Sequence, residues 1–321
     1  MKAAVYYENG GPDVLKYEDA PDPQCHPKGV VIRVEAVSIE GGDTLNRFRG
    51  PLVTRPHIVG YQAAGEVIEV GAEVTTIKLG QKVVTTGGFG SHAELRAVPA
   101  RTAWVIPDGM DVKQAAVIPV PFGTADDCLF EFGRMQKGDV VLVQAGASGV
   151  GVAAIQLAAR AGASMVLATA SSDERLERLK PYGLTHGINY ARDDVVTEVM
   201  RLTDKKGCDV IVDSVGGPTL QSSILSLAYR GRVSMVGQAG REPMTVDVGT
   251  MMGGNRQLSG VFLGAEITTP RVYNNIQRLI EEVARGELKV LIDREFALAD
   301  ANEAHRYIES RQAVGRVLLI P

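Results

Sequence analysis

The run Asp139-Val-Val-Leu-Val-Gln-Ala-Gly-Ala-Ser-Gly-Val-Gly151, leading straight into Val152-Ala-Ala-Ile-Gln-Leu-Ala-Ala-Arg160, constrains this chain more than any other stretch. An apolar, β-branched segment after the Lys137-Gly138-Asp139 turn reads as a buried parallel strand. Gly146, Gly149 and Gly151 then permit a tight turn and a close backbone approach. The helix they open directs unpaired N–H groups outward, an end suited to a pyrophosphate. The small helix face of Gly149, Ala153, Ala154, Leu157 and Ala158 favours close packing on a sheet, as a dinucleotide-binding βαβ unit requires. A glycine-rich turn alone is equally compatible with a strand, loop and helix that hold nothing, so the surrounding pattern decides.

That pattern is periodic. From about Pro119, strands at 140–144, 165–169, 187–189, 210–213 and 232–236 alternate with helices beginning near Gly149, Ser172, Asp194 and Pro218. This is the rhythm of a doubly wound parallel sheet. The first hundred residues differ, with short β-rich runs at 3–7, 29–37, 64–70, 82–85 and 93–98 separated by turns, which suggests a barrel-like or α+β domain. Near the end, Val272, Ile276, Leu279, Ile280 and Val283 recur at helical spacing within 271–285. A further helix over 300–309 and a strand over 315–321 follow. The tail is expected to return and complete the first domain, giving one domain of 1–119 with 263–321 and another of 120–262.

With 321 residues, 45% of them hydrophobic, the chain can fill two cores. Its 34 basic and 38 acidic residues leave a formal charge of −4, so no overall basic field attracts nucleic acid or anionic lipid. No apolar run approaches the roughly 20 residues of a membrane helix, and no leader precedes the first strand-like segment. The expected location is the cytoplasm. Cys25, Cys128 and Cys208 are odd in number and widely separated, which suits packing residues better than disulfides or a metal cluster.

Several motifs in order resemble the medium-chain dehydrogenase/reductase superfamily and, within it, the zinc-independent quinone oxidoreductases related to zeta-crystallin. They are Gly60-Tyr-Gln-Ala-Ala-Gly65, Gly88-Phe-Gly-Ser-His-Ala-Glu94, Ala145-Gly-Ala-Ser-Gly-Val-Gly151, Asp213-Ser-Val-Gly-Gly217 and Val261-Phe-Leu-Gly264, and the likeness runs on to the Leu-Leu-Ile-Pro end. The resemblance implies an α/β protein with a Rossmann doubly wound domain and a GroES-like β-barrel domain completed by the C-terminal segment, with the active site between them. It also implies a homodimer, through the sheet edge near Gln257 to Leu263. In the fingerprint the usual middle glycine is Ser148, small enough for the turn and able to serve a phosphate or the helix itself.

In the zinc enzymes of that superfamily the catalytic ligands fall where this chain has Glu40, Tyr61 and Val120. Zinc requires three or four N, S or O donors, and only Glu40 qualifies. His57 and His92 read as isolated. No metal is therefore expected.

The second Rossmann strand ends without the acid that an NAD-preferring domain places on the adenosine ribose. Ser171, Ser172 and Arg175 follow instead and are suited to a 2′-phosphate, although Ser171 or Ser172 also reads as the cap of the next helix, with Glu174 completing a capping box, and Asp173 argues for NAD. NADPH is the expected cofactor. By resemblance Tyr190 lines its adenosine end; Thr124, Val215, Gly237, Val261 and Phe262 line the rest with Ser148, Gly149 and Val150. Arg47 and Arg311 are candidates for the cleft mouth, Arg311 toward the nucleotide, although such arginines are more often solvated.

Without a Lewis acid the acceptor has to be electron-poor on its own account, which fits a small-molecule quinone or activated α,β-unsaturated carbonyl compound. Glu40 is a candidate general acid or a salt-bridged surface carboxylate. Tyr61 is a candidate donor to the product oxyanion or a packing residue, and Asp43 is architectural by resemblance. An enoyl or 2-alkenal double-bond reductase would carry the same motifs. A reading of another class is a non-catalytic nucleotide-binding protein with a structural or RNA-binding role, against which the acidic balance counts.

Overall fold

The computed structural model describes all residues, 1–321. The chain forms two compact units, Met1–Val120 with Glu266–Pro321, and Pro121–Ala265. The second crossing falls three residues beyond the 262/263 expected from sequence, because the chain runs on from its last strand into the helical turn Leu263–Glu266 before leaving the unit.

The second unit is a six-stranded parallel sheet in the spatial order His186–Asn189, Met165–Ala170, Val140–Val143, Cys208–Asp213, Leu227–Met235 and Gln257–Gly260. The earliest strand, Val140–Val143, is central, and later strands are added on one side and then the other. A crevice for ligands opens at the carboxyl ends of strands where the order reverses in this way. The central strands Val140–Val143, Met165–Ala170 and Cys208–Asp213 are largely buried and apolar, whereas the flanking strands carry polar and exposed residues. Leu142, Leu167, Ile188, Ile211 and Val233 form one core layer. The helix Gly149–Arg160 buries Ala153, Ala154, Ile155, Leu157 and Ala158, the small side chains allowing its close approach.

The first unit is built around the strand Gly29–Ser38, which pairs antiparallel with Gln62–Val70 and with Leu95–Pro99. Its last residues, Val37 and Ser38, pair with Leu319 and Leu318 of the C-terminal strand Arg316–Ile320, which in turn runs parallel to Ile292–Ala297. The tail is thus an integral part of the first sheet. The helix Pro270–Ala284 turns Val272, Ile276, Leu279, Ile280 and Val283 inward. It docks against Trp104, whose indole N–H donates to the Tyr273 carbonyl at 3.0 Å while the two rings stack. Burying such a ring removes a large apolar area from water, and its one polar atom is satisfied.

One helix of this unit, Gly41–Arg49, has no counterpart in the sequence reading. Its buried residues are Asp43, Thr44 and Arg47, while Phe48 is exposed. The inward face is polar, so the usual apolar stripe that marks a helix is missing.

Candidate functional site

In the second unit three carboxyl strand ends are tied together by side chains. Gln144 accepts from the Thr169 hydroxyl at 2.8 Å and donates to Ser223 Oγ at 3.1 Å, and Ser223 donates to Asp213 at 2.8 Å. The other Asp213 oxygen accepts the N–H groups of Val215 and Gly216, both at 2.9 Å. The Ala145 N–H donates to Thr169 Oγ1. This buried network sets the shape of both loops, and sequence reading found only the Asp213 motif, not its partners.

The turn itself is sterically closed to larger residues. A Cβ on Gly151 would lie 2.5 Å from the carbonyl oxygens of Ala145 and Gly146, and one on Gly146 would lie 2.6 Å from the Ala168 methyl. Ser148 caps the helix, accepting the Gly151 N–H at 3.0 Å. Gly149 and Val150 occupy the first helical positions, where N–H groups have no carbonyl one turn back. A helix start of this geometry can accept an anion.

At the next strand end Ser172 caps the short helix Asp173–Glu177 by accepting the Arg175 N–H, and the Arg175 guanidinium donates to Ser171 Oγ at 2.8 Å. Glu174 falls at the second helical position rather than the third, so no capping box forms. Asp173 is taken up by other residues: it accepts from Arg192 at 2.9 Å and from Asn189 at 3.2 Å, and these contacts, Arg192 first, hold its carboxyl below the usual range. Arg192, which sequence reading passed over, thus offsets the acid that argued for NAD. Tyr190, two residues earlier, is exposed. Val215 and Gly237 stand on adjacent loops, where a Cβ on Gly237 would meet the Ser214 carbonyl at 2.5 Å. Thr124 and Val261 are buried, and Phe262 is 77% exposed.

In the first unit, Glu40 is no surface carboxylate. It is buried and ion-paired with Arg316 from the C-terminal strand, and it accepts the Ser38 hydroxyl at 3.0 Å. Gln62 extends the group, lying 3.4 Å from Glu40 and bonding the Ala116 carbonyl and the Val120 N–H, each at 2.6 Å. Burial pushes the Glu40 carboxyl above its ordinary range, against the opposing pull of Arg316 and Ser38. The Glu40 N–H donates to Asp43 at 2.8 Å, and burial raises the Asp43 carboxyl well above its usual value. Tyr61 is half-buried, with its hydroxyl so close to the Gly41 helix that a Cβ on Gly42 would lie 2.4 Å from it. Burial, then Asp43 and Glu40, keep that phenol protonated far into the alkaline range.

Two sequence expectations are reversed here. Arg47 is fully buried, not solvated, and reaches His305 at 2.8 Å and Glu309 on the helix Ala301–Glu309. His92 is not isolated, since its Nε2 lies 3.0 Å from that of His305 and its Nδ1 3.2 Å from Ser91 Oγ. Both had no local signature, because their partners lie more than two hundred residues away. His57 packs edge-on to Tyr6 and 3.3 Å from Thr54. Arg311 is exposed in a left-handed turn after that helix.

The positions matched to catalytic zinc ligands do not suit the metal. The Glu40 carboxylate is engaged by a guanidinium, Tyr61 keeps its proton, and Val120 has no donor side chain. No group of three His, Cys, Asp or Glu side chains converges elsewhere. No helix is long and apolar enough to cross a membrane.

Residues 26–108 match the alcohol dehydrogenase GroES-like domain and residues 149–284 match the zinc-binding dehydrogenase family. A quinone oxidoreductase of Pseudomonas aeruginosa is 32% identical over 321 residues, covering 97% of each chain. A 2-haloacrylate reductase of a Burkholderia species is 31% identical over 338 residues, covering 100% of this chain and 99% of the relative. A mycobacterial protein solved in complex with NADPH superposes with a TM-score of 0.94 at 31% identity, covering 100% of both chains.

Proposed function

The chain belongs to the medium-chain dehydrogenase/reductase superfamily, alongside the quinone oxidoreductases, and from that premise we propose that it is an NADPH-dependent, zinc-independent reductase of quinones or activated α,β-unsaturated carbonyl compounds. The observation that carries the cofactor choice is the Ser171–Arg175 pair beside an Asp173 already neutralised by Arg192. A forked, fixed charge with two neighbouring hydroxyls suits a 2′-phosphate.

Ser148, Gly149 and Val150 would seat the pyrophosphate, Ser171, Ser172 and Arg175 the 2′-phosphate, and Tyr190 the adenosine face. Thr124, Val215, Gly237, Val261 and Phe262 would line the remainder, with Arg311 as a further contact. When bound, NADPH supplies the hydride. An electron-poor acceptor then needs orientation, water exclusion and one hydrogen-bond donor for the oxygen that gains charge. Tyr61 fits that role because it keeps its proton. Glu40 is better read as a positioning residue, since its carboxylate is engaged by Arg316, Ser38 and Gln62.

The Burkholderia relative, named for an activated double bond, supports alkenes with a conjugated carbonyl group as a second acceptor class. The strand Gln257–Gly260 has a sheet neighbour on one side only, which supports a homodimer through that edge. The reading is tested by following NADPH oxidation across quinones, enals, enones and haloacrylates, with elemental analysis of the same protein. Turnover on at least one class with far less than stoichiometric zinc is expected. No consumption with any acceptor, together with salt-sensitive RNA binding, would replace it with a binding role.

A further inference from the structure

Lys205, Lys206, Arg230 and Arg256 gather at one end of the second unit, in a chain of formal charge −4. Lys205 and Lys206 precede the strand Cys208–Asp213, Arg230 lies in the first half of Leu227–Met235, and Arg256 immediately precedes Gln257–Gly260. These strands are parallel neighbours, so the cluster stands toward their amino ends. The glycine turn follows the carboxyl end of Val140–Val143 in the same sheet, and the cluster is therefore at the opposite end.

A depression of about 500 Å³ opens there, lined among others by Lys205, Lys206, Tyr229, Gly254 and Arg256. A neighbouring one shares Tyr229 and Arg256 and adds Arg230, Asn255 and Gln257, the last at the start of the edge strand proposed above for the dimer contact. No carboxylate lines either, and none of the four cations forms an ion pair. Asp204, adjacent in sequence, is outside both linings.

The groups are held in place. The Arg256 guanidinium donates to the carbonyls of Leu227 at 2.8 Å and Thr250 at 3.2 Å, and Gly254 leaves room for it, since a Cβ there would lie 2.7 Å from its Nε. The Tyr229 ring is 67% exposed, with its hydroxyl fixed by Asn255 at 3.0 Å. Lys205, Arg230 and Asn255 all take positive φ, which fixes the backbone from which these side chains leave. One cation at the end of a helix would serve its dipole. Four around an exposed phenol ring are more than that role needs.

We propose that this is a second nucleotide site, which takes a nucleoside polyphosphate with its phosphates on Lys205, Lys206, Arg230 and Arg256 and its base stacked on Tyr229. Charge-assisted bonds to phosphate are strong, and an aromatic ring offers a face to any base. The test is calorimetric titration of ATP and, separately, of inorganic tripolyphosphate into protein saturated with NADPH. ATP is expected to bind once per chain, with affinity reduced about tenfold or more in Lys205→Glu/Lys206→Glu and reduced in Tyr229→Ala. NADPH binding measured in parallel should be unchanged in both variants, which separates this site from the glycine turn. Absence of ATP binding to the saturated protein, or binding indifferent to the lysine pair, overturns the proposal. So does tripolyphosphate binding as tightly as ATP, because the ring would then contribute nothing.

Discussion

Nδ1 of His305 lies 2.8 Å from Nη1 of Arg47, and because a guanidinium only donates, that ring nitrogen carries no proton. The proton of His305 is therefore on Nε2, directed at Nε2 of His92, whose own proton must sit on Nδ1 and face Ser91 Oγ. Arg47, His305, His92 and Ser91 form a one-way chain of donors with both rings neutral. An added proton on either ring would set two N–H groups against each other.

This chain makes stability pH-dependent with a definite sign. Burial, with Arg96 and Arg47 nearby, lowers the His92 pKa to about 3, and burial with His92 and Arg47 lowers that of His305 well below its usual value. Below the unfolded pKa of about 6.5 the unfolded rings bind protons that the native rings refuse, so stability is whole above that pH and falls as pH drops toward the native values. The loss is on the order of 1.4 kcal/mol per pH unit for each ring. The raised carboxyls of Glu40 and Asp43 act with the opposite sign, so the comparison needed is between wild type and His92→Asn. Urea midpoints from neutral pH down to about pH 5 should fall less steeply in the variant; parallel curves would refute the chain.

For Glu40, breaking the ion pair from one side leaves a buried charge. Glu40→Gln and Arg316→Met should each destabilise by about 3–5 kcal/mol, and the double variant should recover most of that. Denaturation of the four proteins measures this. A fully stable Glu40→Gln protein with greatly reduced turnover would instead make the carboxyl a chemical participant.

For Tyr61, removing the hydroxyl should reduce kcat on the order of tenfold to a hundredfold with little change in KM. Gly42→Ala is expected to reproduce that loss with the tyrosine intact, because the new methyl would displace the phenol. Steady-state kinetics on both variants decides, and wild-type kcat in Tyr61→Phe would exclude the donor role.

For the cofactor, Arg175→Ala should raise the NADPH KM roughly tenfold or more while leaving the NADH KM nearly unchanged. Arg192→Ala is expected to shift preference the same way, since it releases the Asp173 charge. Proportional effects on both nucleotides would show that these arginines serve no phosphate.

The sequence by itself determined the second unit and its glycine turn. A buried parallel strand and the steric need for glycine at 146 and 151 are local properties, readable within about twenty residues, whereas the capping role of Ser148 appears only in the structure. The parallel strands and the C-terminal helices were legible for the same reason. Tertiary structure alone decided the polar interior of the first unit. Glu40 meets Arg316 across 276 positions, Arg47 meets His305 across 258, and His92 meets His305 across 213. The helix Gly41–Arg49, which carries Arg47 and is preceded by Glu40 as its N-cap, hides a polar face, so it lacks the periodic apolar signal. Whether a charged or imidazole side chain is solvated, paired or neutral depends on which distant segment lands beside it, and a one-dimensional pattern holds no record of that.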